Sequence, residues 1–281
     1  MRGPEKVPMH FNFPFTVVQV LWTMTFAAQL VMLVVLLGRD RARRYPWFTA
    51  SIVLFALSLL TAEVLTGRLP KVPLQWVLGI LSVLTAIMGL LVVVEMARRA
   101  FDGVQWRIWI AWTVALLAVA GCALAFMGPW PARKDLTWDS ALAVLRLIHL
   151  LAQKADLLVH LLTLELGLLV IIFGSRFKAG WKTHTQRIVI GLSTFAISSL
   201  AVQVAIQNIV KSAQPHSRAE YEHIIGQLGK LVNANGTVYL VVLAWWIVCL
   251  WMNEQGTAQA GEAAPELIES SLQDEPPQAD E

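Results

Sequence analysis

The sequence predicts an all-α polytopic membrane protein, a bundle of seven transmembrane helices, and three observations predict it. Of 281 residues, 57% are hydrophobic and only 15% are charged, with a mean hydropathy of +0.60, whereas soluble domains carry about 25% charged residues. The apolar residues fall in runs of roughly 20, the length a helix needs to cross a hydrocarbon core about 30 Å thick. Tryptophan is abundant, and Trp47, Trp76, Trp106, Trp130, Trp138, Trp181 and Trp251 stand at the ends of those runs, as in an interfacial aromatic belt. A soluble enzyme, a disordered chain and a disulfide scaffold are excluded. Cys122 and Cys249 both lie inside apolar runs, where cysteine acts as a small buried hydrophobe.

The elements follow in order. Residues 1–15 form an outer N-terminal segment. Span one, 16–38, is too long for a signal-peptide core, and no small-x-small site follows it. Arg39, Arg41, Arg43 and Arg44 follow instead and anchor that end in the cytoplasm. Spans two to six are expected at 48–67, 74–97, 107–127, 154–174 and 188–210. Span seven, 236–252, is short but bounded by Asn235-Gly236 and Trp251. None of these runs alternates as a barrel strand would over about ten residues. An unbroken helix also satisfies its own backbone in lipid. The inner loops 38–47, 98–107 and 175–187 are denser in Lys and Arg than the outer ones, which puts the N-terminus outside and the C-terminus inside.

Two further segments carry signals. Ser217-Arg218-Ala219-Glu220 fits a capping box. Tyr221, Ile224, Ile225, Leu228, Leu231 and Val232 follow at helical spacing, which predicts a short amphipathic helix on the outer surface ended by an Asn235-Gly236 turn. Residues 253–281 hold eight acidic residues and no Lys or Arg. With Pro265, Pro276 and Pro277, they read as a disordered acidic cytoplasmic tail. Such a tail is either a solubilising terminus or a docking segment for a basic partner.

Span five is the most informative. Alternating steps of three and four from Asp139 meet Leu142, Arg146, His149, Gln153, Asp156, His160, Thr163 and Gly167. That alternation places the residues on one helical face. A charge at mid-bilayer costs about 2.5–3.5 kcal/mol, so the stripe must face the bundle interior or a watery cavity. As one helix, 139–174 would be about 54 Å long, so its outer half either projects or bends along the interface. Arg146 and His149 then lie at or above the outer surface, with His160 and Glu165 inside. Polar residues of other spans reach the same depth, among them Glu63, Gln75, Ser82, Gln203 and Tyr239. The inner halves are far more apolar, apart from Glu95.

Glu63, Arg146, His149, Gln153, Asp156, His160 and Gln203 are therefore candidate ligand-binding residues of an outward-opening pocket. Glu63 would alternatively pair with His160 or Arg68. Glu165, off the stripe, is a candidate proton-active group. The same polar residues would equally serve as hydrogen-bonding glue between packed helices, or as an ion or proton path.

Residues for other chemistry are missing from the pattern. His149 and His160 are about 16 Å apart on one helix and cannot share a metal. No other expected span contains a histidine, so neither haem nor a metal is expected. Motifs for proteolysis, acyl transfer or phosphate binding do not occur. No catalytic residue, no cofactor and no nucleic-acid partner is expected. No internal repeat is found, which weakens an inverted-repeat transporter.

Arg43-Arg44-Tyr45-Pro46-Trp47-Phe48 runs directly into span two, Val94-Glu95-Met96-Ala97-Arg98-Arg99-Ala100-Phe101 closes span three, and Trp245-Trp246 and Trp251 close span seven. On these motifs, over about 17–252, the chain resembles a group of uncharacterised seven-span membrane proteins of acidobacteria and related soil bacteria. The resemblance implies a bacterial inner (cytoplasmic) membrane protein and no particular activity. A second similarity is to the seven-span sensor regions that precede bacterial histidine kinases. No kinase follows here, so signalling would require a separate partner. The expected function is thus a non-enzymatic sensor or accessory module for a small ligand, lipid or partner protein. The alternatives are a transporter or proton-coupled permease using Glu63, His160 and Glu165, and a structural subunit of a larger membrane complex.

Overall fold

The computed structural model describes residues 16–101, 115, 118–119, 121–123, 140–174, 183–213 and 217–252. Among these there are helices and no strands. Helix α1 is Val17–Gly38, opened by a capping box in which the Thr16 hydroxyl accepts from Gln19 N–H and the Gln19 side chain accepts from Thr16 N–H. Asp40 turns the chain in a left-handed conformation (φ 53°), which Asp tolerates. The single turn α2, Arg41–Arg44, leads into α3, Pro46–Leu65. Pro46 opens α3 where its missing N–H leaves nothing unsatisfied. Gly67 (φ 82°) supplies the reversal before α4, Lys71–Ala100. Then come α5, Ala141–Gly174, α6, His184–Ser212, and α7, Arg218–Trp251.

Six of these helices, all but α2, are long and apolar enough to cross a membrane, so the chain has the architecture of a multi-pass membrane protein. They close into a ring. α1 lies between α3 and α7, and α4, α5 and α6 complete the circle in order. Neighbours that follow one another in sequence are mostly antiparallel. Asp156 of α5 meets Gln203 of α6, while Thr163 meets Ser193. Ser198 of α6 meets Asn235 of α7, while Ile188 meets Trp246.

Two pairs are parallel. Gly79 of α4 lies against Leu145 and Ile148 of α5, and Gly89 lies against Val159. Leu21 of α1 lies against Gly236 of α7, and the Arg39 guanidinium after α1 stacks on Trp251 at 4.8 Å. The glycines at 79 and 89 let the α4 and α5 backbones approach closely.

The tightest core sits at one end of the ring. Met32, Leu36, Tyr45, Phe48, Met96, Ile188, Leu243 and Trp246 are all buried there. Arg39, Arg41, Arg43, Arg44, Arg98, Arg99 and Arg187 decorate this same end. The Arg43-Arg44-Tyr45-Pro46-Trp47-Phe48 motif thus acquires a structural role. The buried Tyr45 hydroxyl is 2.9 Å from Thr185 Oγ1, and Arg99 lies over the Tyr45 ring at 5.0 Å. Valines and leucines such as Val34, Leu57, Leu168, Val204 and Val248 face away from the bundle instead.

Several expectations are corrected. The surface helix and span seven, expected as separate elements at about 218–232 and 236–252, are one helix of 34 residues. Asn235-Gly236 makes no turn. The Asn235 side chain instead bonds Ser198 and Ser199 of α6 at 2.9 and 3.4 Å, and Gly236 gives α1 room to approach. The N-cap of this helix is as expected, with Ser217 Oγ accepting from Glu220 N–H at 3.2 Å. The fifth helix is a single element. Residues Ala141–Gly174 are unbroken, about 51 Å long, and Ser140 Oγ accepts from Ala143 N–H. The helices at 71–100, 184–212 and 218–251 all outrun the spans assigned to them. His184, expected in a loop, is buried in the first turn of α6. The segment 1–15, most of the expected span 107–127 and the tail 253–281 lie outside the described residues.

Candidate functional site

The polar stripe of α5 carries most of the candidate residues. Its register comes from the helix itself: Arg146, His149, Gln153, Asp156, His160 and Thr163 recur every three or four residues, so their side chains stack along one face. The structure divides that face between two cavities on the seam with α4.

The cavity towards the N-terminal end of α5 is a groove of about 670 Å³ open to the surroundings, within the range of small-molecule sites. Arg146, His149 and Gln153 of α5 and Gln75 and Ser82 of α4 supply its polar groups. Leu78, Leu145, Leu147 and Leu150 supply its apolar wall. Arg146, His149 and Gln153 are exposed. Arginine presents a planar fork of donors suited to carboxylate or phosphate.

The inner cavity, about 130 Å³, lies inside the ring and touches α3 to α7. Its walls are aliphatic residues such as Ile52, Val92 and Leu192 together with five aromatic ones, Phe48, Phe55, Phe195, Tyr239 and Trp246. These rings brace one another. Phe195 lies 5.0 Å and Phe55 5.2 Å from Tyr239, and Phe48 meets Trp246 edge-on at 5.1 Å. Such pairs each add about 0.5–1.5 kcal/mol beyond burial. Trp246 is locked by its Nε1–H donating to the Ile188 carbonyl at 3.3 Å.

Asp156 and His160 stand at the rim of this chamber nearer the groove. His160 is buried, its ring 5.8 Å from Phe195. Its Nδ1 is 2.7 Å from the Asp156 carbonyl oxygen and 3.5 Å from Asp156 Oδ2. A carbonyl oxygen only accepts, so Nδ1 carries a hydrogen, and in the neutral ring Nε2 is an acceptor. Gln203 of α6 donates through Nε2 to Asp156 Oδ2 at 3.4 Å. Two helices therefore share one carboxylate. On the far side of Tyr239, its hydroxyl accepts from Gln29 Nε2 of α1 at 3.3 Å.

The expected residues thus divide. Arg146, His149 and Gln153 come together in the groove, and Asp156, His160 and Gln203 come together at the chamber rim. Glu63 does not join them. It is exposed on α3, lines neither cavity, and makes no contact with His160 or Arg68. Glu165 is half-buried on another side of α5, beside Gly121, where an added Cβ would lie 2.8 Å from Glu165 Oε1. Reasoning from sequence missed Phe195 and Gln29. Gln29 carried a signal, being the one polar residue between Thr25 and Gly38; Phe195 carried none. Among the described residues, no three His, Cys, Asp or Glu side chains converge as a metal site would need.

No family model, no curated protein and no solved structure matches this chain.

Proposed function

We propose that the protein is a seven-crossing receptor of the bacterial cytoplasmic membrane, a non-enzymatic sensor or accessory module. It takes a small ligand from the outer side and passes its bound state to a partner protein. The seven crossings are supported by helix direction. α4 and α5 run parallel, which fits one further crossing between them, and the apolar run 107–127 is long enough to make it. First and last helices, α1 and α7, are also parallel, as an odd number of crossings requires. The arginine-rich end is the cytoplasmic one, by the usual bias of basic residues. The N-terminus is then outside and the C-terminus inside.

The function rests on one observation. The polar face of α5 lines a groove and then a chamber, and beyond the chamber the bundle is filled by buried Phe48, Trp246, Met96 and Leu243. A site that opens outward and is sealed inward suits recognition better than passage. Arg146, with His149 and Gln153 beside it, fits an anionic group, a carboxylate or phosphate.

The test uses the full chain in lipid nanodiscs, melted with a panel of small carboxylates and phosphate monoesters. A ligand that binds the folded state at 100 times its Kd adds about 2.7 kcal/mol. At least one compound is expected to raise the melting temperature of the wild type. That shift should vanish in Arg146→Ala, whose own melting temperature stays near wild type because the side chain is exposed. No shift from any compound, or an equal shift in Arg146→Ala, overturns the reading. Uptake of the same compound into proteoliposomes would replace receptor by transporter.

A further inference from the structure

We propose that the inner chamber is a second binding site, separate from the outer groove, for a single aromatic ring carrying a hydroxyl donor: a phenol.

Size comes first. An apolar cavity of about 150 Å³ accommodates one benzene-sized molecule, and the chamber measures about 130 Å³. Its walls come second. Phe55, Phe195, Tyr239 and Trp246 surround the space with ring faces and edges, which favour an offset or edge-on aromatic guest. Polarity comes third and selects the donor. The Thr163 hydroxyl donates to the Val159 carbonyl at 2.7 Å, and the Ser51 hydroxyl donates to the Phe48 carbonyl at 2.7 Å. Both have spent their hydrogens on their own helices. Tyr239 turns its hydroxyl to Gln29 on α1, a helix that contributes nothing to the chamber wall. The His160 Nδ1 hydrogen is held by the Asp156 carbonyl, so in the neutral ring Nε2 is an acceptor. Thr163, Ser51 and His160 therefore offer lone pairs to the chamber, as does the Asp156 carboxylate. An apolar guest gains from such lone pairs only if it brings a hydrogen, and a guest that brings only an acceptor leaves them unmet.

The experiment uses the full chain in nanodiscs with 4-fluorophenol and 4-fluoroanisole as ¹⁹F probes, which differ by a methyl group in place of the donated hydrogen. Empty nanodiscs give the signal of partition into lipid. We expect 4-fluorophenol to show saturable binding to the wild type and 4-fluoroanisole to show only the lipid signal. His160→Phe, which keeps a ring but removes the acceptor, should weaken 4-fluorophenol by about tenfold or more. Ala196→Leu, which fills the chamber from α6 and leaves His160 alone, should abolish it. Arg146→Ala should leave it unchanged, so failure of the groove and failure of the chamber are told apart. Equal behaviour of the two probes overturns the proposal. So does 4-fluorophenol binding that survives both chamber substitutions, and so does the lipid signal alone with the wild type.

Discussion

Phe48 and Glu95 stand 47 residues apart in the chain, yet the Phe48 N–H donates to Glu95 Oε2 at 3.0 Å. A carboxylate from the end of α4 thereby caps the start of α3, where Pro46 and Tyr45 offer no capping side chain. The same Glu95 is 3.7 Å from Arg99 Nη2, and Arg99 lies over Tyr45. One acidic residue holds together the arginine-rich end. Glu95→Ala should destabilise the bundle by about 1–3 kcal/mol, the cost of leaving a buried donor unpaired. Glu95→Gln, which keeps an acceptor oxygen, should lose less. Thermal unfolding in detergent checks this, and two substitutions of equal effect would remove the cap from the account.

Two glycines of α6 and α7 should respond differently to the same methyl group. A Cβ at Gly191 would lie 2.7 Å from Trp246 Cε2, and Trp246 cannot retreat because Phe48 and the Ile188 carbonyl hold it. Gly191→Ala should cost about 1–3 kcal/mol by overpacking and alter the near-ultraviolet dichroism of tryptophan. At Gly236 the new Cβ would meet only Leu21 Cδ2, at 2.9 Å, the free end of a flexible side chain. Gly236→Ala should stay within about 0.5 kcal/mol of wild type, because the helix it sits in continues on both sides. A drop in melting temperature as large as that of Gly191→Ala would contradict the continuous α7.

The buried pair Gln29 and Tyr239 is half satisfied. Gln29 Nε2 donates to the Tyr239 hydroxyl, while Gln29 Oε1 is buried without a partner. Tyr239→Phe orphans the amide further and should cost about 0.5–1.5 kcal/mol. Adding Gln29→Leu removes both unmet atoms at once, so the double variant should be more stable than Tyr239→Phe alone. Simple additivity of two losses would count against this reading of the pair.

Membrane sidedness is open to direct chemistry. In a Cys122→Ala background, Thr16→Cys before α1 and Ser217→Cys before α7 should react with an impermeant maleimide added to intact spheroplasts. Asp40→Cys, beside Arg39 and Arg41, should react only after permeabilisation. Thr16→Cys and Ser217→Cys labelled from opposite sides would rule out an odd number of crossings. A wholly reversed pattern would invert the orientation.

Much of this molecule is legible in the chain. Hydropathy finds the apolar helices because lipid demands an apolar run of known length wherever a helix crosses. The α5 stripe is legible because period and polarity are local properties, and the structure keeps Arg146 to Gln153 and Asp156 to His160 on one face. Where reading fails, the deciding contact comes from another helix. Asn235-Gly236 has the composition of a turn, and it stays helical because Ser198 and Ser199 of α6 occupy the Asn235 side chain. Counting along the spans puts Glu63 level with His160, but helix packing sets His160 beside Ser51 to Phe55 of α3 and leaves Glu63 about two turns further along that helix.

Composition and period are enough to read a membrane protein of long helices, with basic residues gathered in short loops and one helix polar along a single face. Tertiary structure alone decided that α1 lies beside α7 and α4 beside α5, each pair parallel. It alone divided the polar face of α5 into a groove and a chamber. The reason is physical. Segregation of apolar from polar residues answers to the solvent and is written locally, whereas the partner of a side chain depends on which helices pack together. That choice is made by the fit of all the surfaces at once.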